Sequence, residues 1–209
     1  MAVYDLEEQE KIDALKAWWN QYGKLVFLAL LAFVVAVAAV RGWQYYQRSR
    51  AAEAAALFVS LEKHVQDAQK LRGLAGSLME QYPSSPYAAR AALIAARSGF
   101  EAGDAEGARS QLKWAIEHSR EDAIRDLARL RLAAIEYDQK QFAAALSLVE
   151  AKHGSAFDGL YSDLRGDILV AQGKLAEARA AYTSAIQRTE GGYRALIEVK
   201  LDALGETAK

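Results

Sequence analysis

LRGDILVAQGKLAEARAAYTSAIQ, residues 164–187, is the stretch on which the reading of the fold turns. Gly166, Leu169, Gly173, Ala178, Tyr182 and Ala185 place small and large residues at helical spacing on either side of Gly173-Lys174. That pattern predicts two helices folded back on each other. Small residues let the helices approach closely, large ones fill the groove between units, and the glycine permits the turn. Towards the N-terminus the same positions are taken by Leu132, Ala133, Phe142 and Ala145, and before them by Ala96, Gly103, Ala108, Leu112 and Ala115. Aligning Ala108, Ala145 and Ala178 brings three helical pairs into register, with spacings of 37 and 33 residues.

These spacings lie close to the 34-residue tetratricopeptide (TPR) period, so the predicted class is all-α, a TPR-like α-solenoid. Pro83 stands where a preceding unit would carry its terminal proline, with Leu71, Ala75 and Leu78 at packing positions, which predicts a fourth, degenerate unit. Ala54, Phe58, Leu61, Val65 and Ala68 form an apolar stripe on a helix that has no interruption but Gly42 between Val40 and Arg72. Leu71, Leu74, Ala75, Leu78 and Tyr82 form a second stripe, ended by Pro83-Ser84-Ser85-Pro86. After Gly191-Gly192, a final helix is expected over Tyr193–Leu204 as a terminal cap. Its Tyr193, Leu196, Ile197, Leu201 and Leu204 would face the array, and Arg194, Glu198, Lys200 and Asp202 would face solvent.

The chain's other organising stretch is the charge-free apolar run Leu25–Val40, bracketed by Lys24 and Arg41. As a helix its 16 residues rise about 24 Å, slightly under a hydrocarbon core. Trp18, Trp19 and Tyr22 before it and Trp43, Tyr45 and Tyr46 after it would sit at the two headgroup layers, while Lys24 and Arg41 snorkel outward. A transmembrane helix over residues 25–41 is expected, between a short acidic tail (1–24, helical from Leu6 to Trp18) and a repeat domain (42–209). Ala36-Val37-Ala38 would suit a signal-peptide cleavage site, but the leading segment is long and acidic (Asp5, Glu7, Glu8, Glu10, Asp13), which favours a retained anchor. Orientation stays open. Lys11, Lys16 and Lys24 on one side balance Arg41, Arg48 and Arg50 on the other, and the absence of cysteine fits either compartment.

Residues 42–209 carry 22 basic and 22 acidic residues, with no electrostatic footprint for nucleic acid. His64, His118 and His153 are far apart and none belongs to a metal-type pair; no metal site and no cofactor is expected. There is no cysteine nucleophile, Gly-x-Ser-x-Gly elbow or phosphate loop, so the chain reads as a binding protein and not an enzyme. Arg165-Gly166-Asp167 spells an adhesion tripeptide, but its glycine falls on a repeat packing position inside a helix.

The acidic tail, the aromatic-flanked span running into a helix, the Tyr82-Pro83-Ser84-Ser85-Pro86-Tyr87-Ala88 junction and the weak repeats together resemble the ancillary SecYEG translocon subunit family (YfgM-like) of Gram-negative bacteria. The resemblance implies a single-pass inner-membrane protein, its tail cytoplasmic and its TPR domain periplasmic. It also implies partners: the SecYEG translocon and a membrane-anchored periplasmic chaperone of the PpiD type, with unfolded client chains and membrane lipid as further contacts. A cytoplasm-facing adaptor and, if the N-terminal segment is cleaved, a secreted TPR assembly factor are the alternatives. The Tyr-Pro-Ser-Ser-Pro-Tyr stretch also resembles outer-membrane assembly TPR lipoproteins, but there is no cysteine to lipidate.

In such an array the first helix of each pair lines the concave face. The register turns Arg90, Leu93, Arg97 and Phe100, then Leu130 and Tyr137, then Asp163 and Asp167 towards it. A groove basic at its start and acidic at its end is therefore expected, suited to an extended peptide or a partner's tail.

Overall fold

A computed structural model describes residues 3–205, with side chains from Glu8 onward. Among the described residues there are nine α-helices and no strand. The chain divides into two compact units, one up to Ala51 and one from Ala52 on. Residues 42–51, counted with the repeat domain from the sequence, stay largely exposed on α1 (Val3–Lys63).

In the first unit α1 is unbroken, so the tail expected to be helical from Leu6 to Trp18 is continuous with the apolar run instead of ending before it. Nothing in Asp13–Tyr22 breaks a helix, and Gly42 lies in open space on the helix without interrupting it. The apolar run buries almost nothing against protein: Phe27 and Phe33 are both 67% exposed. The tryptophans cluster at its ends, Trp18 lying 5.8 Å from Tyr22 and Trp43 6.1 Å from Tyr46 between ring centroids.

The second unit begins with the last turns of α1, whose Ala54 and Leu61 are fully buried and whose Phe58 packs on Tyr87. The helix then stops at Lys63, which corrects the expectation that it runs on towards Arg72. A turn at His64–Asp67 intervenes, and the Asp67 carboxylate accepts the Lys70 N–H to start α2 (Ala68–Gln81). This is an N-cap, in which the side chain satisfies an otherwise unpaired helix donor. Val65 and Ala68 are consequently exposed, while Leu71, Ala75 and Leu78 bury with Ala54 and Leu61 in the core of the degenerate repeat that precedes the three aligned ones.

Six helices then form three pairs: α3 (Pro86–Glu101) with α4 (Ala105–His118), α5 (Asp122–Asp138) with α6 (Phe142–Val149), and α7 (Asp158–Ala171) with α8 (Leu175–Gln187). Ser85 caps α3, with Pro86 in its first turn where a missing N–H is harmless. The three turns inside the pairs are built alike. Gly103, Lys140 and Gly173, each five residues before the aligned alanine, have φ of 84°, 59° and 76°. At the next residue, Asp104, Gln141 and Lys174 donate to Gly99, Glu136 and Leu169 across 2.8, 2.8 and 2.9 Å. This is a Schellman closure, which favours a left-handed residue at that point, and Lys140 takes the conformation at a cost that glycine avoids. Ala108, Ala145 and Ala178 are fully buried just after these turns. Gly166 lies under the ring of Tyr182, where a Cβ would collide.

The wider first spacing is explained by the middle unit. Its α5, inside that spacing, has 17 residues where α7, inside the second, has 14; α6 has only 8. A loop and a short 3-10 turn (Ser155–Phe157) follow α6. Buried Asp126 holds this loop by accepting the Gly154 N–H and the Arg129 guanidinium, both at 2.9 Å. Helix α9 (Gly191–Ala203) closes the array, with Ile197 fully buried against Tyr182 and Ala185.

Candidate partner-binding groove

The first helices of the pairs lie side by side, α3 touching α5 and α5 touching α7, so they share one side of the unit. Of the residues expected to line it, Arg90 forms a two-pronged ion pair with Glu121 at 2.6 and 2.7 Å, tying α3 to the start of α5. The hydrogen bond from Arg90 lowers the Glu121 pKa. Leu93 is 5% exposed and belongs to the core. Leu130 and Tyr137 pack against the middle core, Tyr137 beside Phe142. Arg97 and Phe100 are exposed. Arg97 holds only a solvent-facing contact with Glu101 at 2.8 Å, of a kind that contributes little.

The acidic end is closed by the chain itself. Asp163, 4% exposed, accepts the Tyr193 hydroxyl at 2.6 Å and the Lys200 ammonium at 2.9 Å, and Asp167 accepts Lys200 at 2.8 Å and the Tyr182 hydroxyl at 2.7 Å. Lys200, expected in solvent, is thus turned inward, because two carboxylates on α7 need a counterion once α9 covers them. Burial alone would favour its neutral amine, but the bonds to Asp167 and Asp163 outweigh this and raise its pKa. Burial, then the bonds to Asp167 and Asp163, likewise raise the Tyr182 and Tyr193 hydroxyls. On α9, Arg194 and Glu198 do pair in solvent, whereas Leu196 is 51% exposed instead of packed.

The open part of this side is a cleft of about 330 Å³ lined by Ala96, Arg97, Phe100, Leu112, Arg131, Ala134, Ile135 and Asp138. Arg131 is half-buried there. Among the described residues its polar contact is a long one, 3.4 Å, to the Leu93 carbonyl, and no carboxylate pairs with it. Burial, then the like charge of Arg97, lowers its pKa. Sequence reading missed Arg131, and no local pattern singles it out. Arg97, Arg109, Arg125, Arg129 and Arg194 each have an acid three or four residues away on the same helix face, and Arg131 has none, but neither do Arg72 and Arg90, which find Asp104 and Glu121 across the fold.

Each histidine has a local role. His64 and His118 meet the Ser60 and Trp114 carbonyls, and His153 stacks on Tyr161 while its ring nitrogens meet the Ala151 carbonyl and Asp158. Among the described residues no three His, Cys, Asp or Glu side chains gather as a metal site. The Arg165-Gly166-Asp167 tripeptide lies within α7, its glycine buried. In the first unit Trp18, Trp19, Tyr22, Lys24, Arg41, Trp43, Tyr45 and Tyr46 are exposed along α1, flanking the apolar run.

Paired helices with a repeated left-handed turn, joined to one long apolar helix, define a helical-repeat protein of the tetratricopeptide type. A family model described as a tetratricopeptide repeat-like domain matches residues 16–206. A protein of Neisseria gonorrhoeae named ancillary SecYEG translocon subunit is 31% identical over 207 residues, covering 95% of this chain and 98% of its own length. Proteins of the same name from Haemophilus influenzae and Escherichia coli are 29% and 24% identical, covering 97% and 90% of this chain and 100% and 90% of their own lengths. The chain belongs to this family of ancillary SecYEG translocon subunits with a TPR-like domain.

Proposed function

We propose that the chain is a non-enzymatic, membrane-tethered adaptor of the Sec translocon, its N-terminus cytoplasmic and its repeat unit periplasmic. There it would link emerging chains to a membrane-anchored chaperone of the PpiD type. The observation that carries the reading is the bare apolar stretch of α1, exposed and girdled by tryptophan and tyrosine, on a chain whose other unit is a helical repeat. Such a helix is stable in lipid, where its backbone is satisfied internally and its side chains meet hydrocarbon. A tether raises the effective concentration of the repeat unit beside a channel without strengthening any contact. Repeat surfaces of this kind bind extended segments, and the exposed Arg97 and Phe100 suit that use.

The native sequence has no cysteine, so single cysteines report topology without background. With an impermeant thiol reagent on intact spheroplasts, Lys174→Cys, in an exposed turn, is labelled, and Glu8→Cys is labelled only after permeabilisation. Co-purification of translocon and chaperone from the same membranes completes the test. Labelling in the reverse pattern would make the protein a cytoplasm-facing adaptor and overturn the periplasmic assignment.

A further inference from the structure

We propose that the cleft between α3, α4 and α5 receives an acidic residue from an extended, partly apolar segment of a partner protein, with Arg131 and Arg97 supplying the countercharge. The inference deepens the adaptor reading and rests on it only for the partner's biological setting.

The argument starts from what the fold leaves unfinished. A guanidinium drawn out of water is costly unless paired, and it presents a rigid fork of donors that matches a carboxylate. Most other arginines of the repeat unit have such a partner: Arg72 with Asp104, Arg90 with Glu121, Arg109 with Glu136, Arg129 with Asp126 and Arg188 with Asp158. Arg131 has none among the described residues, and it shares its cleft with another cation, Arg97. Asp138 lines the same cleft but forms an ion pair with neither arginine. Two cations therefore line the cleft beside an apolar wall of Phe100, Leu112 and Ile135, Arg131 unpaired and Arg97 held only by its exposed contact with Glu101.

Size narrows the occupant. At about 330 Å³ the cleft lies at the small end of ligand pockets and holds one or two side chains, not a folded element. An acidic residue next to an aromatic or aliphatic one, on a strand of partner chain lying along α3 and α5, would meet both the guanidinium pair and the wall. The other end of the same side does not serve, because Asp163 and Asp167 are acidic and already engaged by Lys200 and the Tyr193 and Tyr182 hydroxyls.

The test uses the purified full-length chain in detergent and a fluorescently labelled peptide, Gly-Phe-Glu-Leu-Glu-Phe-Gly, with its Gln-for-Glu counterpart, followed by anisotropy. The glutamate peptide should bind about ten-fold tighter or more, the order expected for charge-assisted hydrogen bonds, and the preference should shrink with added salt. Arg131→Met, which keeps an apolar stem, should erase the preference. Arg97→Gln, at a solvent-exposed site where folding is not at issue, should reduce it, and Lys174→Met on a remote turn should leave it unchanged. Equal binding of the two peptides by wild type, or an undiminished preference in both arginine variants, would overturn the proposal. So would displacement of the peptide by inorganic phosphate at equal concentration, which would show a simple anion site. Because the assay contains neither membrane nor translocon, its failure is distinct from a failure of the topology experiment.

Discussion

Between α7 and α9, Lys200 lies 2.9 Å from Asp163 and 2.8 Å from Asp167, with two tyrosine hydroxyls completing the cluster; between α3 and α5, Arg131 shares a cleft with Arg97 and Asp138 and is ion-paired with no acid of the described residues. The two places are related by the repeat. Counted back from the left-handed turn residues Gly103 and Gly173, Leu93 corresponds to Asp163 and Arg97 to Asp167. One register thus carries an apolar–basic pair in the first aligned unit and two acids in the last. An array of nearly equivalent helices thereby assigns its ends to different tasks. Where the chain supplies a closing helix, the charges are paired internally and the interface becomes structural. Where it does not, a half-desolvated cation remains for a partner.

Removing Lys200 should break the comparison with the largest effect. Lys200→Ala leaves nearly buried Asp163 without its counterion, and loss of one partner of a buried pair costs about 3 kcal/mol or more. Urea unfolding of the full-length chain should show this loss, and wild-type stability in the variant would mean that the α7–α9 cluster is not structural. Gly166→Leu comes next, at about 1–3 kcal/mol, because its side chain would enter the space of the Tyr182 ring. Thermal melting should show the fall, with Lys174→Ala at the adjacent turn unchanged. Lys140→Gly should act in the opposite direction. It relieves the one left-handed non-glycine residue of the described backbone, raising stability by about 0.5–1 kcal/mol, whereas a null result would mean that the turn imposes no strain.

The pH profile sharpens the same contrast. Lys200 has a raised pKa, so its contribution is complete below its ordinary value, about 10.4, and is lost as pH rises through the higher folded value. The melting-temperature gap between wild type and Lys200→Ala should stay flat through neutrality and shrink only in strong alkali. Glu121 gives the smallest effect. Its pKa is lowered by Arg90, so its contribution is present above the ordinary value of about 4.3 and fades as pH falls through the folded one, weakly because the pair is partly exposed. The gap between wild type and Glu121→Gln should therefore be small and confined to pH above that range.

Helix pairing, the aligned alanines and the approach at Gly166 were legible because close packing restricts residue size at a fixed period, and that restriction is written in sequence. The break after Lys63 was not, since Ala54, Phe58, Leu61, Val65 and Ala68 keep helical spacing across it; only the capping carboxylate of Asp67 marks the new start. Lys200 was misread for a related reason. Spacing along α9 puts it beside polar residues, and its carboxylate partners lie more than 30 residues away on α7, where no local pattern reports them. Arg131 was not legible either: its helix face lacks an acid, but so do those of Arg72 and Arg90, whose partners Asp104 and Glu121 come from more than 30 residues away.

The most direct test of the contrast between a sealed and an open end is the stability of Arg131→Met, measured by urea unfolding beside the peptide titration. If Arg131 is held for a partner, replacing a half-desolvated, unpaired guanidinium by an apolar chain should leave stability unchanged or raise it by about 1 kcal/mol, while the preference for the acidic peptide disappears. A loss of about 2 kcal/mol or more, of the size expected for a broken internal pair, would show that Arg131 serves the fold and would contradict the account.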